Sequence, residues 1–224
     1  MNHNISNLNN KIIKCKSCPR LIKFRDQIIK NKRKQFIDEK YWGKPITGVG
    51  DTNGRILFVG LAPAAHGGTR TGRVFTGDKS SEFLYKCLHK AKIANQSNSD
   101  HINDGLKLKN AYITAALKCV PPEDKPLKNE LDNCSKFFSK ELEYLKKINV
   151  VVALGKIAFD ACSYFYQSNY NFLKKIKFGH DTIYKLPNNI LLVGCYHPSP
   201  RNVNTGRIDE VKMTNLFKKI QKLV

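Results

Sequence analysis

Four short apolar runs punctuate the chain, and each is followed by a polar or glycine-containing loop and then by an amphipathic helical pattern. The runs predict strands over residues 55–59, 111–117, 149–154 and 190–193. Helical spacing of apolar residues predicts helices over 23–39, 80–93, 129–147, the stretch after Gly155, and 208–224. This alternation predicts a single-domain α/β fold with a central four-stranded, mostly parallel sheet flanked by helices.

The ends of the chain bound the domain. Residues 1–10 are polar and are expected to be a flexible N-terminus, which leaves 11–224 as the folded domain. No run approaches the roughly 20 apolar residues that span a membrane, and the N-terminus lacks the apolar core of a secretory signal. We therefore expect a cytoplasmic protein without a membrane partner, and nothing in the sequence demands more than a monomer.

Charge narrows the class of partner. The chain has 39 Lys and Arg against 18 Asp and Glu, a net charge of +21 with a pI near 9.7. Such an excess favours polyanions, nucleic acid first and an acidic membrane surface second. The competing interpretation is a compositional bias in which lysines only cover solvated faces. The scale of the imbalance favours nucleic acid.

Two loops rich in glycine and polar residues carry the candidate chemistry. Residues 60–78 follow the first predicted strand, and 194–207 follow the fourth. Ligands of parallel sheets bind beyond the carboxyl ends of the strands. The architecture should therefore bring 60–78, 114–122, Gly155 and 194–207 to one rim.

Four of the seven cysteines form two pairs that suit metal ligation. Cys15 and Cys18 make a C-x2-C pair, and Cys119 and Cys134 are separated by fourteen residues that include a Pro-Pro turn. Four thiolates suit zinc or an iron–sulfur cluster, whereas a cytosolic setting disfavours disulfides. Cys119 and Cys134 could each also be ordinary core residues. The other three are predicted to be core: Cys87, Cys162 and Cys195.

Several motifs together make the chain recognisable. They are Cys15-x-x-Cys18-Pro-Arg-Leu, Tyr41-Trp-Gly-Lys-Pro45, Gly60-Leu-Ala-Pro-Ala-Ala-His66-Gly, Arg70-Thr-Gly-Arg73-x-Phe75-Thr-Gly-Asp78, Tyr112-x-Thr-Ala-Ala-x-Lys-Cys119-x-Pro-Pro122, Ala153-Leu-Gly155, His197-Pro-Ser199 and Asn204-Thr-Gly-Arg207. In this order, and over nearly the whole chain, they resemble the family 5 (type B) uracil-DNA glycosylases.

The resemblance implies an activity and a cofactor. The activity is excision of uracil, and of other deaminated bases such as hypoxanthine, from DNA, leaving an abasic site. The cofactor is a [4Fe–4S] cluster held by Cys15, Cys18, Cys119 and Cys134, structural in role and away from the chemistry. The partner is then DNA that contains uracil or another deaminated base.

The reaction suggests roles for two residues. A base inside a duplex must be flipped into a pocket, where Phe75 is the candidate to stack on it; the alternative is that Phe75 is core packing. Breaking the N-glycosidic bond leaves negative charge on the base, and His197 is the candidate donor to uracil O2. The alternative for His197 is a capping role in the following turn.

Three positions depart from what related glycosylases contain. Ala62 stands where many glycosylases orient the attacking water with Asp or Asn, as is usual for family 5. Thr69 stands where Asn or Asp is expected, and Ala115 where an Asn reads the base edge. These departures predict loose base discrimination, with Thr69 or backbone groups placing the water. Asp78 is the acid near the loop, and a helix N-cap is at least as plausible a role for it.

DNA contacts are expected from both loops. Phosphate contacts are assigned to Arg70, Arg73, Arg201 and Arg207, with Ser199 and Asn204 also at the DNA, and residues 200–207 resemble the loop that fills the gap left by a flipped base.

Two alternatives stay open: a family 4 uracil-DNA glycosylase, which shares the cysteine arrangement, and a basic, cluster-bearing DNA-binding protein whose catalytic loop has decayed. Thr69 and Ala115 favour the latter; intact Phe75 and His197 oppose it.

Overall fold

A six-stranded sheet organises the molecule, whose computed structural model describes residues 3–224. The strands are β1 (Val49–Gly50), β2 (Ile56–Gly60), β3 (Ala111–Ala115), β4 (Val150–Leu154), β5 (Ile183–Lys185) and β6 (Leu191–Cys195). Their order is β1-β3-β2-β4-β6-β5, with the inner four parallel and both edge strands antiparallel. The α/β class and the four parallel strands are confirmed. The prediction missed the edges because strands of two and three residues leave no periodic pattern.

Helices cover both faces of the sheet. They are α1 (His3–Ile13), α2 (Pro19–Lys30), α3 (Gly68–Thr71), α4 (Lys79–Lys90), α5 (Lys128–Tyr144), α6 (Lys156–Tyr170), α7 (Pro200–Asn204) and α8 (Glu210–Gln221). Within residues 3–224, no helix combines the length and apolarity that crossing a membrane would require.

Successive side chains of the buried strands point to opposite faces of the sheet, and each face has its own hydrophobic core. Phe58, Ile113 and Val152 point to the side covered by α4 and α8, where Phe217 packs edge-on against Phe58. Leu57 and Val151 point to the other side, covered by α1, α5 and α6. Because both faces are covered, β2, β3 and β4 are buried throughout and β6 is buried after its first residue, so all four form continuous apolar runs in the sequence. The three cysteines predicted to be core are all buried: Cys87, Cys162 and Cys195.

The N-terminus corrects one prediction. Residues 3–10 belong to α1 rather than to a flexible segment, while residues 1 and 2 lie outside the described part of the chain. Ile5, Leu8 and Ile12 are buried at spacings of three and four and face the sheet and α5. The many asparagines conceal this stripe, because they lower the mean hydropathy without interrupting the helical period.

The predicted helix over 23–39 is also shorter than expected. Helix α2 ends at Lys30, Asn31 has non-helical backbone angles, and a single 3-10 turn follows at Lys34–Phe36. The break lets the segment fold back, so that Phe36 and Glu39 reach Arg70 in the loop after β2.

Candidate active site and cysteine cluster

The loops after the parallel strands lie at one rim, as predicted. Backbone hydrogen bonds join them directly: the Ala116 amide donates to the Gly60 carbonyl at 2.9 Å, and the Leu117 amide to Leu61 at 2.8 Å. The Gly155 amide donates to the Cys195 carbonyl at 2.7 Å. Residues far apart in sequence are therefore held in one rigid frame.

Phe75 and His197 face each other at the centre of this rim. Their ring centroids are 6.2 Å apart, with planes inclined by 36°. Phe75 adopts a left-handed backbone conformation (φ 47), which is uncommon for an aromatic residue and typical of positions that function constrains.

Two glycines make room for these rings. A Cβ on Gly60 would lie 2.7 Å from the Phe75 ring, a distance real side chains do not reach. Gly155 has φ +105, and a Cβ there would lie 3.1 Å from the Cβ of His197. Both strand ends must therefore carry glycine for the two rings to sit directly over the sheet.

The surroundings of His197 favour its neutral form. Burial lowers the pKa of the imidazole below its ordinary value, and the opposing pull of the Asp124 carboxylate is weaker. The His197 carbonyl accepts a hydrogen bond from the Asn202 side chain at 2.9 Å, which ties the residue to α7. The backbone of His197 is thus anchored, and burial keeps its ring an uncharged hydrogen-bonding group.

The positions that depart from related glycosylases are distributed around the rim. Ala115 ends β3 opposite Gly60 and is fully buried. Ala62 is half-buried and packs against the cluster that contains the four predicted cysteine ligands. Thr69 lies in α3 with 1% of its surface exposed, and its Oγ1 is buried without a hydrogen-bond partner among the described residues. The roles of these residues in base contact and in placing the water stay predictions.

Asp78 has the capping function that the sequence allowed. Its Oδ1 accepts a hydrogen bond from the Ser81 amide at 2.9 Å, and its own amide donates to Ser81 Oγ at 3.0 Å. This reciprocal pair is a capping box at the start of α4.

A cavity of about 800 Å³ opens beside the loop after β2. His66 and Asp78 line it, whereas Phe75, His197 and Ala115 are not among its lining residues. The hydroxyl of Tyr41 lies 2.8 Å from His66 Nδ1, and burial, reinforced by nearby Arg33 and Arg70, lowers the His66 pKa. Tyr41 was part of a recognised motif, but sequence alone gave no reason to pair it with His66.

Arg73 is a structural residue, which corrects its assignment to phosphate. It donates to both Asp104 oxygens, at 2.8 and 2.5 Å, and to Thr76 and Ser99, each at 2.9 Å. Both partners of the ion pair are 5% exposed. Burial raises the pKa of Asp104, but the hydrogen bonds from Arg73 and from the amides of Leu106 and Asp100 together outweigh it and hold the pKa well below its usual range. Four of the five N–H donors of Arg73 are used within the protein, and the side chain is too buried to reach DNA.

Arg70 is likewise engaged within the protein. Its guanidinium stacks on Phe36 at 3.9 Å, pairs with Glu39 at 2.5 Å, and donates to the carbonyls of His66 and Gly77 at 2.7 and 2.8 Å. These contacts use three of its five N–H donors, leave the side chain 10% exposed and tie the 3-10 turn to the loop after β2. Arg70 also lines the cavity beside this loop, and its contact with phosphate stays a prediction.

The residues of the second loop are better placed for DNA. Ser199 caps α7, accepting from the Asn202 amide at 3.4 Å, and Asn204 at the other end of α7 is exposed. Arg201 and Arg207 are exposed, and neither has an ion-pair partner among the described residues. Arg207 lies over the Tyr196 ring at 4.6 Å. The contacts of this loop with DNA stay predictions.

The four cysteines predicted to be ligands come together in one hydrophobic cluster. Cys15 follows α1, Cys18 precedes α2, Cys119 follows β3, and Cys134 lies on α5; all pack with Leu8, Ile12, Leu21 and Leu117. A two-pronged ion pair at 2.8 Å between Arg20 and Glu130 fastens the start of α2 to the start of α5. This contact brings the elements of Cys18 and Cys134 together.

The chemistry of this donor set fits a metal centre. Burial is the main cause that raises the pKa of Cys119 to about 12 and that of Cys134 to about 11, with a smaller contribution from the neighbouring thiols, so thiolates at these positions need a compensating positive group. Within residues 3–224, no three ligand side chains are arranged to hold a single ion as they stand. The identity of the metal group stays a prediction.

Sequence reasoning missed two buried cations near these cysteines. Lys118, 1% exposed, donates to both oxygens of Glu141, at 2.9 and 2.8 Å, and to Thr114 at 2.7 Å. Arg25 is 11% exposed, and its Nε and Nη1 are buried without hydrogen-bond partners among residues 3–224. The sequence contained a signal for both: a charged residue at a position that helical spacing assigns to an apolar face. Glu141, the partner of Lys118, follows Cys134 by seven residues on α5, and Arg25 follows Leu21 by four residues on α2.

Comparison with known proteins identifies the family to which this chain belongs. A sequence model described as "Uracil DNA glycosylase superfamily" matches residues 47–222, a span that includes every strand of the sheet. The chain therefore belongs to the uracil-DNA glycosylase superfamily.

Curated relatives specify the branch. A type-5 uracil-DNA glycosylase of Thermus thermophilus is 42% identical over 194 residues, 87% of this chain and 86% of the relative. That of Mycobacterium bovis is 38% identical over 220 residues, 98% of this chain and 81% of the relative. A type-4 enzyme of Archaeoglobus fulgidus shares 26% over 155 residues, 69% of this chain and 70% of the relative. Within the superfamily, the chain belongs to type 5.

Proposed function

We propose that this protein is a monofunctional DNA glycosylase that flips uracil out of DNA and hydrolyses its N-glycosidic bond, leaving an abasic site. The observation that carries the proposal is the pair of rings at the rim: Phe75 and His197, 6.2 Å apart, over glycines that admit no side chain. Membership of the type-5 family supports the same activity.

The base would be recognised first by stacking. A flipped pyrimidine is a flat π-system, and the half-buried face of Phe75 offers it a matching surface. Because the ring rests on Gly60 and its backbone is constrained, its position is fixed before the base arrives.

His197 would then stabilise the leaving base. Negative charge develops on uracil O2 as the bond to the sugar breaks, and a neutral imidazole donating an N–H to that oxygen lowers the barrier. Because burial lowers the pKa of His197, the imidazole stays neutral at the pH values above that pKa. In this form it donates a hydrogen bond from its N–H to the base anion.

The attacking water would be placed by Thr69 or by backbone groups. Thr69 Oγ1 is a buried hydroxyl without a protein partner, and such groups are rare unless something absent from the protein binds them. Ala62 and Ala115 offer no polar side chain to discriminate the base edge. We therefore propose that other deaminated bases, hypoxanthine among them, are also released.

DNA would be held chiefly by the loop after β6. Arg201 and Arg207 are exposed and carry the charge that contacts phosphates, with Ser199 and Asn204 beside them. We propose that this loop fills the gap left by the flipped base. Since its substrate would be DNA, the expected location is the cytoplasm, and the expected state is a monomer.

The four cysteines would hold a [4Fe–4S] cluster. Their thiolate chemistry suits iron as well as zinc, and the resemblance to family 5 favours the cluster. Its contribution would be structural: it would join α1, α2, β3 and α5 around one centre. No step of the base excision needs it.

The test is release of uracil by His197→Ala beside a matched control. His89→Ala removes an exposed histidine from the end of α4, outside the rim. We expect wild-type protein and the control to release uracil from a uracil-containing duplex, and His197→Ala to bind the duplex but to release base roughly 10²–10³-fold more slowly. Equal release by all three proteins would remove His197 from the reaction.

A further inference from the structure

Arg25 presents a buried positive charge whose hydrogen-bonding groups are unused. Its side chain is 11% exposed, and Nε and Nη1 have no hydrogen-bond partner among residues 3–224. The nearest carboxylate, of Asp26, lies 3.8 Å from Nε, beyond hydrogen-bond distance. A guanidinium cannot escape this cost by losing its proton, so buried N–H groups of this kind require an acceptor.

The helix face that carries Arg25 indicates where that acceptor lies. Leu21, Arg25 and Ile28 follow one another at spacings of four and three, so they share one face of α2. Leu21 packs into the cluster that contains the four cysteines, and Ile28 packs against Val120. Arg25 therefore lies between them, level with Cys119 and Val120.

The order of elements along the chain supports the same placement. Arg25 lies on α2, the helix that begins directly after Cys18, one of the four predicted ligands.

We propose that Arg25 donates its two buried N–H groups to sulfur of the metal centre held by the four cysteines, as a positioning residue that retains that centre. The inference rests on the proposed cluster. Metal-bound thiolate and inorganic sulfide both accept hydrogen bonds, and such outer contacts govern how firmly a metal is held. The guanidinium also offsets part of the negative charge that gathered thiolates bring.

Lys118 provides the contrast that makes the proposal testable. It is buried in the same region, next to Cys119, but Glu141 and Thr114 already satisfy its ammonium group. Loss of Lys118 breaks a complete ion pair whether or not the metal centre is present. Loss of Arg25 removes donors that are unsatisfied until the centre is bound.

The experiment measures two properties of wild type, Arg25→Met, Arg25→Lys and Lys118→Met, prepared without oxygen. The first is the unfolding temperature after the iron has been removed; the second is the rate at which a chelator removes iron from the loaded protein. We expect iron-free Arg25→Met to be at least as stable as wild type, yet to lose iron roughly tenfold faster. Arg25→Lys, which keeps the charge without the fork, should fall between them.

Lys118→Met should instead unfold at a lower temperature even without iron, because Glu141 is left buried and unpaired. The proposal is overturned if Arg25→Met loses iron at the wild-type rate, or if its iron-free form is destabilised as Lys118→Met is. Wild-type protein that carries no iron would contradict the proposed cluster itself, so the two failures are distinguishable.

Discussion

The imidazole of His197 is prepared for its role by burial rather than by a charged partner. Burial lowers its pKa from the ordinary value of 6.5, so the neutral form persists as the pH falls to that value. We therefore expect kcat of the wild type to stay level from about pH 8 to 6.5 and to fall only below it. Single-turnover rates across this range test the point. A rate that rises as the pH falls through 7 would indicate a charged imidazolium and contradict the assignment.

Substitution of His197 by Ala removes the proposed donor to the leaving base. Loss of one such donor typically lowers kcat by roughly 10²–10³-fold. The measurement is single-turnover base release at saturating enzyme, compared with His89→Ala. A loss confined to binding, with kcat unchanged, would show that His197 contacts DNA without taking part in the chemistry.

Thr69 offers a separate test because its hydroxyl has no hydrogen-bond partner within the described part of the chain. Thr69→Val keeps the shape and removes the oxygen, so the free energy of unfolding should not fall, since no protein hydrogen bond is lost. If the hydroxyl places the water, base release should slow markedly at the same time. Unchanged release would leave the backbone groups of the loop as the candidates.

Arginines illustrate what a sequence cannot separate at this scale. Arg73 and Arg201 both stand in glycine-containing loops, yet only the fold places Asp104 against the former and solvent around the latter. Arg73→Met should lower the free energy of unfolding by about 3–5 kcal/mol, because it leaves the Asp104 carboxylate buried and unpaired. Denaturant titration measures this, and a change below about 1 kcal/mol would show that the pair is dispensable.

At the scale of elements, α1 joins the sheet to the cysteine cluster. Leu8 is 5% exposed and packs with the cluster that contains Cys15, the residue to which α1 leads. Leu8→Ala should lower the free energy of unfolding by about 2–5 kcal/mol. Lys11→Ala on the exposed side of the same helix is the control and should have little effect. Equal, small effects of both would restore the flexible terminus that the composition predicted.

The strands and helices differed in how clearly the hydrophobic pattern of the sequence predicted them. The four inner strands were predictable because burial on both faces makes each a continuous apolar run ending in a polar loop. Strands β1 and β5 are recognisable only through their neighbours in the sheet. Helix α2 ends at Lys30 because the segment beyond it turns towards Arg70, a contact across 31 or more residues that local propensity does not contain. The candidate site residues were predicted from the sequence motifs, whereas the hydrophobic pattern predicted only the strands and helices that carry them.

At the scale of the whole molecule, the charge of +21 is the basis for binding DNA. Affinity should fall steeply with salt, and each lost phosphate contact should reduce the slope of log K against log salt by about 1. Arg201→Ala is expected to show this reduction with its unfolding temperature unchanged. Lys147→Ala removes the same charge just before the amino end of β4, away from the rim at the carboxyl ends of the strands, and should leave the slope unaltered. Equal slopes for both variants would mean that the charge acts diffusely.

The central claim is that this rim breaks an N-glycosidic bond. The most direct measurement is release of free base from duplexes that contain uracil, hypoxanthine or only ordinary bases, in the presence of a metal chelator, with abasic sites revealed by alkali. We expect release of uracil, slower or comparable release of hypoxanthine, and none from the ordinary duplex. Tight binding to the uracil-containing duplex with no release would contradict the claim, and would make the protein one that finds deaminated bases without excising them.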